Sequence, residues 1–183
     1  VTPSLVEAHY HPDKANTRIR LTESTGPGGW DAATAVKAGF TVEDVEARAS
    51  EALRVAVSHG VGHMRAEVDV DSTVGLTCFE GVKRASEQLA ALIDVEIVAF
   101  PQEGIVRDPG AVPLLRQALS GGARVVGAWP NAEQGEQDQL AHIEAAFDLA
   151  EEFDVPLDVH IAALPATADD KVLGLLADRA IVR

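Results

Sequence analysis

Two histidines two residues apart, His9 and His11, close an apolar run (Leu5-Val6-Glu7-Ala8) and are followed by Pro12-Asp13-Lys14. The run has the character of a buried strand, and side chains at i and i+2 on a strand share a face. Two imidazoles projecting together from a strand end are a start on a divalent metal site. Spacing alone is equally compatible with two solvated histidines on a strand edge. More chemistry-bearing side chains recur at the ends of later apolar runs. Glu67, Asp69 and Asp71 lie along or just after 61–70, and Gln102 and Glu103 end 95–102. Asn131 and Glu133 follow 124–130, and His160 lies within 155–162.

The elements that must position these groups alternate. Thr41 is an N-cap for a helix with Val42, Val45, Ala49, Ala52, Leu53, Ala56 and Val57 at helical spacing, closed by Gly60. Further helices are predicted over 77–94, 110–119, 136–153 and 167–180. In the fourth of the five, Leu140, Ile143, Ala146, Phe147 and Ala150 share one face, and His142 is read as a surface residue. Five short strands alternating with five helices mean parallel strands with crossover helices. An open doubly wound sheet wants a glycine-rich turn after its first strand, and here that turn is His-Pro-Asp-Lys. A barrel carries its chemistry at the C-terminal ends of its strands, where these polar groups fall. The fold is therefore read as α/β: a (β/α) TIM-type barrel, present as one partial domain over 1–183. A full barrel needs about 250 residues, so about five of eight units are here. Residues 15–40, with Gly26-Pro27-Gly28-Gly29-Trp30 inside them, read as an irregular lid or active-site loop.

Composition narrows the partners. A net charge of −14 argues against a nucleic-acid or anionic-membrane partner. The single cysteine, Cys78, excludes an internal disulfide and suits a reducing compartment; early in a helix, it reads as packing. No run approaches the ~18 apolar residues of a transmembrane helix, and no signal peptide precedes Val1, so a cytoplasmic location is expected. His59 reads as a cation favoured by a helix C-terminus, and His63 lies near the start of its strand, away from the strand-end groups.

Taken together, the motifs resemble the amidohydrolase superfamily, in its cytosine deaminase-like branch. Residues 7–14 (EAHYHPDK) match its first-strand H-x-H-L-D element, and 63–70 (HMRAEVDV) its second-strand H-x-R-x-H-V-D element. Residues 98–104 (VAFPQEG) match A-F-P-Q-x-G, 127–130 (GAWP) match G-x-x-P, and Asp158-Val159-His160 match D-x-H. The resemblance implies that His9, His11 and His160 are ligands to zinc or iron, which brings the pKa of water toward neutrality for attack on an amidine or amide carbon. It implies that Gln102 hydrogen-bonds a cyclic amide through an amide group that both donates and accepts. Lys14 and Asn131 join it as substrate-binding candidates.

The chain departs from the family in several places. Ala163 stands where a proton-shuttling glutamate follows the D-x-H strand, and loss of such a group typically costs ~10²–10⁴-fold in rate. Glu67 and Asn131 replace family histidines. The family's later histidine and aspartate lie on strands beyond Arg183, and its small β-domain before the first barrel strand is also missing. Glu67, Asp69 and Glu103 are the candidates for the proton-transfer role. The expected activity is metal-dependent hydrolysis of a C–N bond in a small cyclic amide or amidine, complete only with a second chain or further sequence supplying the remaining strands. The alternatives are a catalytically degenerate barrel subunit that binds or scaffolds, and a cyclase or dehydratase on the same metal site.

Overall fold

The computed structural model describes residues 2–20, 30–161 and 169–182. It contains strands β1 (Leu5–Tyr10), β2 (Val61–Asp69), β3 (Asp94–Phe100), β4 (Val125–Ala128) and β5 (Leu157–Val159). Among the described residues the helices are α1 (Trp30–Lys37), α2 (Val42–Ser58), α3 (Thr77–Leu89), α4 (Ala111–Ser120), α5 (Glu136–Phe153) and α6 (Asp169–Val182). The sheet runs β1-β2-β3-β4-β5 with every neighbouring pair parallel. A doubly wound sheet reverses its strand order at a switch point; this one never does. Strand order and chain order coincide, as in a barrel, and the sheet is a curled partial (β/α) barrel.

Alternation along the strands separates two faces. Met64, Ala66 and Val68 of β2, Ile97 and Ala99 of β3, and Val126 and Ala128 of β4 point outward. They join one core with Val45, Ala49 and Leu53 of α2, Phe79, Val82 and Ala85 of α3, Leu115 and Ala118 of α4, and Ala146 and Leu149 of α5. Cys78 is fully buried in that core, and burial pushes its thiol pKa up. The intervening strand residues face the concave side, where the polar groups sit. β1 is the exception to good cover: Leu5 and Val6 are 59 % and 68 % exposed. That strand pairs on one side only among the described residues.

Caps fall where the residue types direct. Thr41 Oγ1 accepts from the Asp44 amide at 3.2 Å to start α2, and Gly60, at φ +89°, turns the chain out of it. The sequence reading is corrected at four places. The stretch 15–40 is not irregular throughout, since it carries α1, making a sixth helix; residues 21–29, with the Gly-Pro-Gly-Gly run, lie outside the described residues. Helix α3 stops at Leu89 rather than near 94, because the amides of Leu92 and Ile93 both fold back onto the Leu89 carbonyl. Strand β5 has three residues, because its ladder with β4 covers only Leu157–Val159. His142 is completely buried, not a surface residue. Among the described residues no helix is long and apolar enough to cross a membrane.

Candidate functional site

His9 and His11 leave the end of β1 on one face, with ring centroids 5.1 Å apart. His160 follows β5, its amide bonded to the Ala128 carbonyl at 2.8 Å, which extends the β4–β5 ladder by one residue. Its ring lies 4.6 Å from His9 and 6.0 Å from His11. In a flat sheet β1 and β5 would stand four spacings, or about 19 Å, apart. Curvature alone brings these rings together. One donor atom from each of the three lies within 4.8 Å of the others, near the span of donors around one ion at ~2.0–2.1 Å.

Burial, then the nearby Lys14 charge, holds the His11 pKa down to about 3. Burial, then His9, brings His160 down to about 4. Both are neutral imidazoles at physiological pH, the form that ligates. His11 Nδ1 and both His160 nitrogens are buried with no hydrogen-bond partner among the described residues. Phe100 packs at 4.4 Å from His160. It fits there because position 127 is glycine: a Cβ would stand 2.7 Å from the Phe100 ring and 2.9 Å from its Cα.

The rings open onto a cavity of about 390 Å³ lined also by Phe100, Gln102, Trp129 and Asp158. Beside it runs a buried charge network. Lys14 Nζ donates to Asp69 Oδ1 at 2.7 Å and to Gln102 Oε1 at 2.8 Å. Lys37, on α1, donates to Asp69 Oδ2 at 3.2 Å and Asp71 Oδ2 at 2.7 Å, and pairs with Glu103 at 2.6 Å. Burial opposes the Lys37 charge, but these carboxylates outweigh it and hold its pKa above the ordinary lysine value. Burial likewise opposes the Asp69 charge, yet the two lysines keep its pKa low. Arg48 seals the underside, donating to the carbonyls of Asp13 and Ala15. Asp69 and Glu103, two of the three proton-transfer candidates, are thus each held by lysine.

The third, Glu67, is fully buried one layer below the rings, with Oε1 3.8 Å from His9 Nδ1. Burial, with Asp158 adding to it, pushes its pKa up to about 8. Arg65, also facing inward, bridges Glu96 at 2.7 Å and Asp158 at 2.9 Å. Asn131 sits in the 3-10 turn after β4, outside the cavity lining. Glu133 does not face the cavity either. Its carboxylate accepts from the amides of Ile105, Val106 and Arg107 and from His142 Nδ1 at 2.8 Å. His142 Nε2 accepts from the Trp129 amide, which fixes the tautomer. Buried His142 therefore ties the β3–α4 loop to the end of β4. The sequence reading missed Trp129, Phe100 and Asp158 as cavity residues. Asp158 stands two before His160, the same i, i+2 relation that pairs His9 with His11, and that signal was available. Ala163 lies outside the described residues.

One-way winding and three imidazoles converging from opposite strands define a partial barrel of the kind that carries a strand-end metal centre. No family model matches the chain. It is 34 % identical over 174 residues to the N-isopropylammelide isopropyl amidohydrolase of Pseudomonas sp. (strain ADP), covering 88 % of this chain and 41 % of that one. Among solved structures, it superposes on 5-methylcytosine deaminase from Klebsiella pneumoniae with a TM-score of 0.86 and 31 % identity, over 99 % of this chain and 44 % of the other. N-isopropylammelide isopropylaminohydrolase from Burkholderia multivorans gives 0.78 and 27 %, over 98 % and 45 %. The chain belongs to the amidohydrolase superfamily, on its cytosine deaminase-like side. It spans less than half the length of each of these relatives.

Proposed function

We propose that the chain forms five βα units of a metal-dependent hydrolase that breaks a C–N bond in a small cyclic amide or amidine. Sequence outside these 183 residues, in a complementary chain or a longer polypeptide, completes the barrel. The observation that carries this reading is the meeting of His9, His11 and His160 at a cavity of about 390 Å³ walled by Gln102. That volume lies in the range of small-molecule sites, about 300–1,000 Å³. The relatives named above act on 5-methylcytosine and N-isopropylammelide, both six-membered nitrogen rings.

The donor set fits a divalent cation: His11 and His160 are neutral imidazoles, and their buried nitrogens, His11 Nδ1 and both of His160, have no hydrogen-bond partner among the described residues. Zinc and iron both suit it. When bound, such an ion supplies Lewis acidity toward water at the carbon under attack. The chain's own residues do the rest. Glu67 sits behind His9, its Oε1 3.8 Å from Nδ1, and places a buried carboxyl group beside that ring. Phe100 and Trp129 exclude bulk water and stack against a flat ring. Gln102 holds the ring's polar edge. With Asp69 and Glu103 held by lysines and Asp158 bridged by Arg65 at 2.9 Å, proton transfer falls to Glu67, which holds a proton near neutrality. The segment 15–40 acts as the lid, latched through Lys37.

Elemental analysis of the completed barrel tests the reading. Zinc or iron should be present and be lost in His160→Ala, together with ammonia or amine release from the ring substrate. A barrel with neither metal refutes it.

A further inference from the structure

Gln102 enters the cavity wall with its orientation already decided. An ammonium group can only donate, so the Gln102 atom 2.8 Å from Lys14 Nζ must be the carbonyl oxygen. Turning the amide over would set N–H against N–H. Lys14 cannot retreat, because Asp69 holds it at 2.7 Å and is itself gripped by Lys37. Phe100 packs alongside, its ring 6.0 Å from Nζ. Lys14 is not a lining residue of the cavity, whereas Gln102 is. The amide's Nε2 is therefore left on the cavity side, with no hydrogen-bond acceptor among the described residues.

We propose that Lys14 is a positioning residue that sets the polarity of Gln102, so that the pocket presents N–H donors and prefers rings whose facing edge carries outer carbonyl oxygens over rings whose edge carries outer amino groups. The inference rests on the reading of this cavity as the ring-binding site. It departs from the expectation that the glutamine offers donor and acceptor alike.

Cyanuric acid and melamine distinguish the possibilities as inhibitors of the metal-loaded, completed barrel, assayed at mildly acidic pH where both rings are neutral. They are alike in size and threefold symmetric. Every edge of cyanuric acid sets two carbonyl oxygens about one N–H; every edge of melamine sets two amino groups about one ring nitrogen. Orientation in the pocket is then immaterial. The wild type should bind cyanuric acid about 10- to 100-fold more tightly, the range expected for one buried mismatched donor. Lys14→Met releases the amide to rotate and should collapse that ratio, while Lys14→Arg, which also only donates, should keep it. Gln102→Glu places an acceptor on the cavity side and should invert the preference; it decides the matter if Lys14→Met does not fold. A wild-type ratio near one, or a Lys14→Met that weakens both rings equally, overturns the proposal and leaves the cavity assignment standing. Failure of both rings to bind a metal-loaded wild type overturns both.

Discussion

Lys37 is the perturbation that asks most of the buried network. Lys37→Met keeps the aliphatic stem and deletes an ammonium that contacts Asp69, Asp71 and Glu103 between 2.6 and 3.2 Å. Asp69 then keeps Lys14, whereas Asp71 and Glu103 lose this cation. Removing one member of a buried ion pair costs about 3–5 kcal/mol. The lower end applies here, because burial already raises the Asp71 pKa and that group can take up a proton. In a domain of about 150–250 residues a 3 kcal/mol loss lowers the melting temperature by roughly 6–12 °C, and the longer completed barrel shifts by less. Because the lost contact joins α1 to the ends of β2 and β3, protease cleavage within 15–40 should accelerate before global unfolding does. Denaturant titration and limited proteolysis of the completed barrel measure both. Lys37→Met combined with Asp71→Asn should recover part of the loss, since it removes one unpaired charge. A loss under about 1 kcal/mol, well short of the buried-pair range, or a double variant no better than the single, refutes the argument.

Other residues carry sharper local expectations. Glu133→Ala orphans three loop amides and should cost about 1–3 kcal/mol by denaturant titration. Burial alone would raise the Glu133 pKa, but His142 and the amides hold it below the ordinary glutamate value. Its stabilisation is therefore present above that ordinary value, about 4.3, and vanishes as pH falls through the lower folded value. Glu133→Gln should flatten that acid limb. Gly127→Ala drives a Cβ into Phe100, and overpacking of this kind costs about 1–3 kcal/mol; cation affinity should fall with it as the ring leaves His160. Ala163→Glu should raise turnover by up to about 10²-fold if proton transfer limits the rate, and an unchanged rate assigns that step to Glu67.

The histidines and Gln102 were legible because strand-end position is a period-two property that survives without coordinates. His160 needed no knowledge of curvature to be placed at a strand end, but its approach to His9 did. Lys37 was hidden because a glycine- and proline-rich run stands just before its helix and obscured the helical pattern. His142 misled through its type: a polar residue beside Ile143 belongs to the stripe made by Ile143, Ala146, Leu149 and Ala150. It is buried there because both ring nitrogens find partners. Leu140, assigned to the inner face by its type, is 40 % exposed. Asp69 and Glu103 were seen as carboxylates at the mouth, whereas their lysine partners lie far away in sequence and could not be paired with them by spacing.

The three imidazoles come from the two outermost strands of an open, curled sheet. An ion gripped by all of them would join the sheet's rims like a clasp, so coordination and curl would share one free energy. In this chain without its complement, chelation should then let the rims drift apart, and spin labels on β1 and β5 would report a wider distance in the stripped form than in the loaded one.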